Sequence, residues 1–508
     1  MSRLQDSIYR PPHVFEDLNW PGDFIGRTIL GLTMDARALH VQSSLLRELI
    51  DSLPLKLNSK GYMGPDYHPS INEQQLSGHG WLLRGLCEYY KWTGDRSVVP
   101  VMKSVSDNLF VSGLGRYASY PVVPEQRNSA AGGASGTISG EKDSWMLSTD
   151  IGCLFIGMAG LIDYYELFPD RKVRAAIDEM VAKFLEMDIV AVKAQTHATL
   201  SALRSLIKYS RITGENSLMD EVVRRWDIYV AEGMTCCFAN YNWFGRRDTW
   251  TEPCAIVDSY IVAFELWRET MNPSYRDMAE LICTNALWHA QRSNGGFGCD
   301  SCPSADNPCL KISIPEAYWC CTMRGAEGLA RVAESLWAVK GNELYVPFYE
   351  NSRFCADGFE IVQESLYPEE GKVSFEFVEN RTIDRLLVPD LKWVTDTRIM
   401  LDGKDVVPVK ENGFICIEEK FLPGDKVEVS FDIPVRTDTV QNCVRVFRGP
   451  VQLGEREGNK GLEPVPSLMR HFDSDCIRVL FPSDTRKSTK KIKESESFQN
   501  NFCGKCRE

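Results

Sequence analysis

The sequence predicts a mostly helical chain with a β-rich end: an (α/α)6-type toroid followed by a β-sandwich domain. Two observations support this prediction. From about residue 25 to residue 340, apolar residues recur at helical spacing, interrupted by short polar turns. After about residue 341, apolar and polar residues alternate with the period of a strand. We expect a toroid over residues 1–340 and a sandwich over residues 341–484.

The helical part repeats one pattern, in which an apolar helix ends in aromatic residues and a small turn starts the next helix. Residues 86–95 and 206–215 show it with Thr-Gly followed by an acidic residue, and 163–170 and 266–273 are looser copies. Glycine after the last turn adopts the left-handed conformation that ends a helix, and an acidic residue suits the next N-terminus. Repeated helix hairpins favour a closed toroid, with an open α-solenoid as the alternative.

The second half of the chain has the alternation of half-buried strands at residues 372–378, 426–431 and 444–447. Two short segments between such strands, 402–403 and 423–425, have the composition of turns. Together these features are typical of a β-sandwich.

The composition excludes several classes of function. The 508 residues are 44% hydrophobic and 25% charged, which is ordinary for globular domains with a large core. A net charge of −13 argues against nucleic-acid and anionic-membrane partners. The first residues lack the apolar region of a signal peptide, and no segment has the roughly 18 apolar residues of a transmembrane helix. We therefore expect a cytoplasmic protein, and a homodimer is compatible with the sequence.

Two adjacent cysteines, Cys320 and Cys321, precede a helix-like segment. A disulfide between them is disfavoured, because neighbouring Cα atoms are ~3.8 Å apart and bridges usually need ~4.4–6.8 Å. Two core residues or two ligands of one soft metal remain. Side chains of neighbours converge only in a turn, since they diverge along strands and helices. Glu252 and Cys254, two apart on a segment expected to be extended, would complete a tetrahedral zinc site; buried structural thiols are the alternative.

Further cysteines lie outside this group. Cys299, Cys302 and Cys309 occupy a loop rich in Gly, Pro and Ser, and they are either ligands of a second structural zinc or loose thiols near the first site. Cys503 and Cys506 form a CxxC in the polar tail, residues 485–508, which we expect to be disordered and inert.

The segments around the first group resemble the beta-L-arabinofuranosidase family, glycoside hydrolase family 127 (GH127). Family members carry a Glu-Thr-Cys-Ala segment and a later Cys-Cys pair, which match residues 252–255 and 320–321 here. Other landmarks follow the family's order: Gly61-Tyr62-Met63-Gly64, Glu73 through His79, Thr196-His197-Ala198, Tyr275 through Glu280, and Phe447-Arg448-Gly449-Pro450-Val451. The likeness covers about residues 25 to 460.

The resemblance implies a zinc-dependent retaining glycoside hydrolase that acts on a terminal furanose or related pentose of small plant-type oligosaccharides. It implies that Zn²⁺ is bound by four side chains, those of Glu252, Cys254, Cys320 and Cys321. Cys320 would also be the nucleophile at the anomeric carbon, and a metal-bound thiol is deprotonated at neutral pH. The family further implies that His79 and His197 bind sugar hydroxyls.

One position departs from the family pattern. The family's general acid/base is a glutamate sixteen residues before the metal-binding one, and Cys236 stands at that place here. A thiol is a poor substitute for a carboxyl group that must protonate the leaving oxygen and then act as a base. Candidate replacements are Asp248, Asp258 and Glu316. The family's Pro-Pro-Asn after the cysteine pair is also replaced, by residues 322–324.

Two other functions remain open at this point. One is a sugar-binding or structural protein that has kept the fold and the metal site but lost catalysis. The other is a toroid epimerase or lyase, which would have no need of zinc thiolates. Metal content separates the epimerase or lyase from the other two, and hydrolysis of aryl glycosides separates the hydrolase from the binding protein.

Overall fold

A computed structural model describes residues 19–127, 136–304, 308–317, 320–441, 443–456, 461–465 and 477–478. Helices dominate up to Glu334, and the strands of the β-rich part begin at Ala338, so the predicted fold class is confirmed. The proposed division into units at residues 340 and 484 stays a prediction. The tail 485–508, with Cys503 and Cys506, lies outside the described residues.

The helical part contains twelve α-helices among the described residues. In chain order they are α1 (Asp23–Ala38), α2 (Ser44–Ser52), α3 (Glu73–Thr93), α4 (Val99–Val105), α5 (Leu154–Leu167), α6 (Arg171–Glu186), α7 (Thr196–Thr213), α8 (Ser217–Ile228), α9 (Pro253–Thr270), α10 (Pro273–Ile282), α11 (Trp288–Ala290) and α12 (Cys321–Glu334). Short 3-10 or π turns occupy Leu53–Lys56, Arg96–Val98, Ser106–Phe110, Val111–Gly113, Tyr117–Ser119, Pro124–Gln126, Tyr229–Gly233 and Cys283–Leu287.

Six of these helices form a closed inner ring. Helix α1 packs against α3, α3 against α5, α5 against α7, α7 against α9, α9 against α12, and α12 returns to α1. The helices between them in sequence, such as α6 and α8, pack on the outside through a single apolar face. The ring closure decides between the two predicted architectures in favour of the toroid over the open solenoid.

The predicted glycine stops occur where the sequence placed them. Gly94 and Gly214 follow α3 and α7 with φ of 71° and 76°, and the N–H of each donates to the carbonyl four residues earlier. Helix α3 begins at Asn72, whose side chain accepts from the N–H groups of Gln74 and Gln75. These local signals define where α3 begins and where α3 and α7 end.

The strands are short and mostly antiparallel. They are β1 (Ile71–Asn72), β2 (Ile138–Lys142), β3 (Trp145–Ser148), β4 (Cys299–Asp300), β5 (Cys309–Leu310), β6 (Ile312–Ile314), β7 (Ala338–Lys340), β8 (Glu343–Tyr345), β9 (Ser352–Ala356), β10 (Phe359–Ser365), β11 (Lys372–Asn380), β12 (Arg385–Pro389), β13 (Thr397–Leu401), β14 (Lys404–Val406), β15 (Val409–Glu411), β16 (Phe414–Glu418), β17 (Lys426–Phe431), β18 (Val435–Val440), β19 (Cys443–Arg448), β20 (Val451–Arg456), β21 (Leu462–Pro464) and β22 (Ile477–Arg478).

Two sheets form the sandwich. One has the order β14-β13-β17-β11-β10-β9 and the other β15-β16-β12-β8-β7, with β12 and β8 parallel. Their inner faces share one apolar core that includes Phe375, Phe377 and Val427. Outside the sandwich, a third sheet with the order β18-β19-β20-β22-β5, in which β21 also pairs with β20, includes a strand from the helical part. Sequence periodicity did not predict that a strand from the helical part would join this sheet.

A cavity lies where the helical ring meets the sandwich. Tyr260, Glu280 and Trp288 line it from the helical side, and Phe348, Glu350 and Tyr367 are among the residues that line it from the other. The Tyr367 hydroxyl donates to Glu280 at 2.8 Å. In the described part of the chain, no helix is both long and apolar enough to cross a bilayer.

Candidate metal centre and active site

The four side chains of the predicted zinc site lie at the N-termini of two neighbouring ring helices. Pro253 is the first residue of α9, a position that suits proline because its missing N–H would have no helical partner there. Glu252 is therefore the N-cap of α9, and Cys254 lies in its first turn. Cys320 is the N-cap of α12 and Cys321 its first residue. The expectation that residues 252–254 form an extended segment was wrong, because α9 begins at Pro253.

The functional atoms of the four residues converge. One carboxylate oxygen of Glu252 and the sulfurs of Cys254, Cys320 and Cys321 all lie within 4.8 Å of one another. The Cys254 and Cys321 sulfurs are 3.9 Å apart, and those of Cys320 and Cys321 are 3.4 Å apart. All three thiols are free of disulfides. The cap position of Cys320 supplies the turn that lets adjacent cysteines face one centre.

The donor set fits a bound cation. Oε2 of Glu252 is buried without a hydrogen-bond partner, which is unusual for a carboxylate oxygen in a protein interior. Three thiols and one carboxylate are a composition that suits Zn²⁺. Among the residues that the structure describes, this is the single group of histidine, cysteine and acidic side chains with such convergence.

The electrostatics of the centre also favour a cation. Burial, and next the charge of Cys254, raise the pKa of Glu252 well above its usual value. Burial opposes ionisation of Cys254 as well, but hydrogen bonds from Cys320 and Cys321 and the charge of Arg27 hold its pKa well below the usual range. The pKa values of Cys320 and Cys321 are raised, that of Cys320 chiefly by its bond to Cys254 and that of Cys321 by burial. Negative charge at the centre is therefore favoured on Cys254, beside the Arg27 guanidinium.

Arg27 of α1 is a site residue that sequence reasoning missed. Its Nη1 lies 3.5 Å from the Cys254 sulfur, and Asp23 holds the guanidinium through two oxygens at 2.6 and 3.0 Å. The guanidinium also stacks over the Trp81 ring at 4.2 Å. Arg27 and Cys254 are 227 positions apart, so nothing local in the sequence pointed to this contact.

His197 lies beside the centre, in the first turn of α7. It is 2% exposed, with Nδ1 3.6 Å from Oε1 of Glu252 and Nε2 3.4 Å from Oδ2 of Asp258. Its ring stacks on Trp81 with a centroid distance of 5.6 Å. The predicted contact of His197 with a sugar stays a prediction, and both ring nitrogens already face carboxylates.

His79 is held by backbone groups on both sides. Nε2 accepts from the N–H of Met63 at 2.8 Å, and Nδ1 lies 2.8 Å from the carbonyl oxygen of Gln75. Burial lowers its pKa to about 4, so the ring is neutral at physiological pH. The predicted sugar contact of His79 likewise stays a prediction, although this arrangement leaves no ring nitrogen for a ligand. Its evident effect is to fix the Gly61–Gly64 turn against α3.

Cys236 is packed against the C-terminal sheet. It forms a buried cluster with Cys237, Leu310 and Cys443. Hydrogen bonds from Cys237 and then Cys443, together with the nearby charge of Arg445, hold the pKa of Cys236 well below its usual value. The position that matches the family's acid/base glutamate is therefore occupied by a cysteine that is buried among other cysteines.

The three candidate replacements for the acid/base differ in their surroundings. Asp248 is exposed and paired with Arg246 at 2.7 Å. Asp258 is fully buried, and in spite of burial the charge of Arg324 holds its pKa well below the usual range, so it cannot supply a proton near neutral pH. Glu316 is half-buried and accepts from Asn294 at 2.9 Å. Of the three, Glu316 is the one that these surroundings leave as a candidate.

The cysteines of the second cluster separate in space. Cys299 hydrogen-bonds with Cys321 beside the metal centre. The Cys302 sulfur lies 3.6 Å from the carbonyl oxygen of Asn240, and Cys309 is disulfide-bonded. With Cys309 in a disulfide, the three cysteines do not share a second zinc, and of the three it is Cys299 that lies beside the first site.

Comparison with known proteins supports the same relationship. Residues 343–433 match the family model described as beta-L-arabinofuranosidase, GH127 middle domain. A GH127 beta-L-arabinofuranosidase from Geobacillus stearothermophilus T6 shares the fold at a TM-score of 0.64 and 16% identity, over 87% of this chain and 78% of that one. Another GH127 beta-arabinofuranosidase aligns at a TM-score of 0.66 and 16% identity, over 90% of this chain and 79% of that one. No curated protein sequence matches this chain.

Proposed function

We propose that this chain is a zinc-dependent glycoside hydrolase related to GH127 and that it uses Cys320 as its nucleophile. The match of residues 343–433 to the GH127 middle-domain model and the shared fold support this proposal. The single observation that supports the proposal most is the convergence of one Glu252 oxygen and three cysteine sulfurs within 4.8 Å. The orphaned Oε2 of Glu252 adds independent support, because a cation would satisfy it. We further propose a terminal β-L-arabinofuranoside or a related pentose of a short oligosaccharide as the substrate.

Bound Zn²⁺ would supply a positive charge that keeps the surrounding thiols deprotonated at neutral pH. Of the three sulfurs, that of Cys320 is the natural nucleophile, because Cys254 and Cys321 are buried while Cys320 is partly exposed. The N-terminal end of α12 adds a partial positive charge that also favours a thiolate. Cys320 is thus the one thiolate of the centre that a sugar can reach.

The reaction would proceed in two displacements. The Cys320 sulfur bonds to the anomeric carbon while the bond from that carbon to the leaving oxygen breaks. The leaving oxygen departs with a proton from an acid, or as an anion. Water then attacks the anomeric carbon and gives a proton to a base, and the carbon–sulfur bond breaks to regenerate the thiolate. Two inversions retain the configuration of the sugar.

Metal content and hydrolysis together test the proposal. The protein, purified without added metal, should contain about one zinc per chain and should release the phenol from an aryl β-L-arabinofuranoside. Removal of zinc with a chelator should abolish this release, and zinc should restore it. The initial product should have the β configuration. A zinc-free protein with full activity would contradict the zinc-dependent mechanism.

The position of Cys236 favours one second candidate, a sugar-binding protein that has lost turnover. In the matching place the family carries its acid/base, whereas this chain has a cysteine that is buried among other cysteines. A protein that bound zinc and sugar but released no phenol from any of a panel of aryl glycosides would support this alternative. The cytoplasmic location and the homodimer stay predictions.

A further inference from the structure

We propose that Asp258, acting through His197, positions Glu252 to bind the metal, so that Asp258 and His197 are positioning residues of the centre. This inference rests on the proposed metal site but not on the proposed hydrolysis. The three residues form a line in which Nε2 of His197 is 3.4 Å from Asp258 and Nδ1 is 3.6 Å from Glu252. This role differs from the sugar contact that the family resemblance implies for His197 and from the acid/base role considered for Asp258.

The far end of this line is fixed. Oδ1 of Asp258 accepts from Arg324 at 2.6 Å, and Oδ2 accepts from the hydroxyl of Ser201 at 2.6 Å. Asp258 is 0% exposed. It lies one helical turn after Cys254 on α9, so both side chains are on the same face of that helix. Asp258 is therefore held in place on the face of α9 that also carries Cys254.

The middle of the line is fixed as well. The His197 ring lies nearly parallel to Trp81, with 19° between their planes, and is 2% exposed. Trp81 is itself contacted by two guanidinium groups, those of Arg27 at 4.2 Å and Arg324 at 4.6 Å from the ring centroid. A ring clamped on its face can interact only through its edges, and both edges of His197 face carboxylates.

At the near end of the line, His197 determines which oxygen of Glu252 is left to bind a cation. His197 faces Oε1 of Glu252, while Oε2 is buried and has no hydrogen-bond partner. One oxygen is thereby oriented by the protein, and the other is left for a cation. Groups that orient a metal ligand in this way typically contribute 10–100-fold to metal affinity. The measurable consequence is a loss of zinc affinity when either positioning residue is changed.

A neighbouring aspartate provides a matched control. Asp163 of α5 is also buried, and it interacts with three cationic side chains, those of Lys208, Arg84 and Arg204. Unlike Asp258, it is not among the residues that contact His197 in the described part of the chain. Asp163→Asn removes one buried negative charge, as Asp258→Asn does, without touching the line to Glu252.

The experiment measures zinc affinity by competition with a chromophoric chelator, using full-length protein. We expect Asp258→Asn and His197→Gln each to bind zinc about 10–100-fold more weakly than wild type, and Asp163→Asn to bind it as wild type does. The double variant should bind no more weakly than His197→Gln alone, because Asp258 acts through His197. Thermal unfolding of the metal-free proteins checks that each variant is folded. If Asp258→Asn does not fold, Ser201→Ala, which removes one hydrogen bond to Asp258, should give a smaller loss in the same direction.

Two results would overturn the inference. One is wild-type zinc affinity in folded His197→Gln; the other is an equal loss of affinity in Asp163→Asn and Asp258→Asn. In Co²⁺-loaded protein, the thiolate-to-metal charge-transfer bands should keep their intensity in the variants while the d–d bands change, since only the carboxylate ligand is disturbed. None of these measurements depends on hydrolysis of a glycoside. Absence of activity in wild type would therefore contradict the proposed function and leave this inference standing.

Discussion

Replacing Glu350 with glutamine is expected to stabilise the protein at pH 8 and to have little effect near pH 4.5. Glu350 lines the cavity between the helical ring and the sandwich, close to Glu280. Burial, followed by the charges of Glu280 and Glu369, raises its pKa from 4.5 to about 7. Its carboxylate forms no hydrogen bond or ion pair among the described residues, so glutamine loses no partner.

The size of the effect follows from the shift in pKa. Because the folded protein binds this proton more tightly than the unfolded chain, the favourable contribution is complete below pH 4.5 and is lost as the pH rises to about 7. A shift of about 2.5 units corresponds to ~3 kcal/mol at most. The side chain is partly exposed, and Glu280, whose pKa burial also raises to about 7, shares the charge repulsion. We therefore expect a gain of about 1–3 kcal/mol at pH 8.

Differential scanning calorimetry from pH 4.5 to pH 8 measures this prediction. The difference in Tm between Glu350→Gln and wild type should be small at pH 4.5, grow as the pH rises, and level off above about pH 7. Glu364→Gln, an exposed change on β10, is the control and should show no such trend. A difference in Tm that is the same at every pH would refute the reasoning.

The remaining predictions concern the metal centre and the acid/base position. Cys321→Ala should lose zinc, measured by elemental analysis, and should unfold at a lower temperature, because it removes a ligand and leaves the others mispaired. Cys320→Ser should keep its fold by circular dichroism while kcat falls to background, since an alcohol is a far weaker nucleophile than a thiolate; normal turnover would exclude attack by this cysteine. Wild type should cleave an aryl glycoside ~10²–10⁴ times faster, in kcat/KM, than the matching disaccharide, because the latter needs general-acid help. Cys236→Glu should narrow that ratio, and equal rates in wild type would show that another residue, with Glu316 first to be tested, already supplies the proton.

Features encoded by a few neighbouring residues could be predicted from the sequence. Glycine after the last turn ended α3 and α7 as expected, because the left-handed conformation depends only on the local backbone. The strand period after residue 341 likewise predicted the sandwich. The pairing of β5 with β22 could not be predicted, because a two-residue strand has no periodicity to detect.

The four ligands of the metal centre could be predicted from the sequence, but the residues that hold those ligands in place could not. The four ligands came from a motif and a resemblance, and the structure brings them together even though Glu252 caps a helix where an extended segment was expected. Arg27 was not assigned to the centre, and Asp258 was considered only as an acid/base, because their contacts join helices that are distant in the chain. The buried charged residues around the ligands come together only when the ring of helices closes, and no local sequence pattern encodes that closure.

The most direct test of the central claim is to look for sugar attached to Cys320. Wild-type protein mixed with an aryl β-L-arabinofuranoside and quenched in acid during turnover should gain the mass of one sugar residue. Peptide mapping should locate that gain on the peptide that contains Cys320, and Cys320→Ser should show none. Turnover by wild type with no adduct, together with activity in Cys320→Ser, would contradict the assignment of this thiol as the nucleophile.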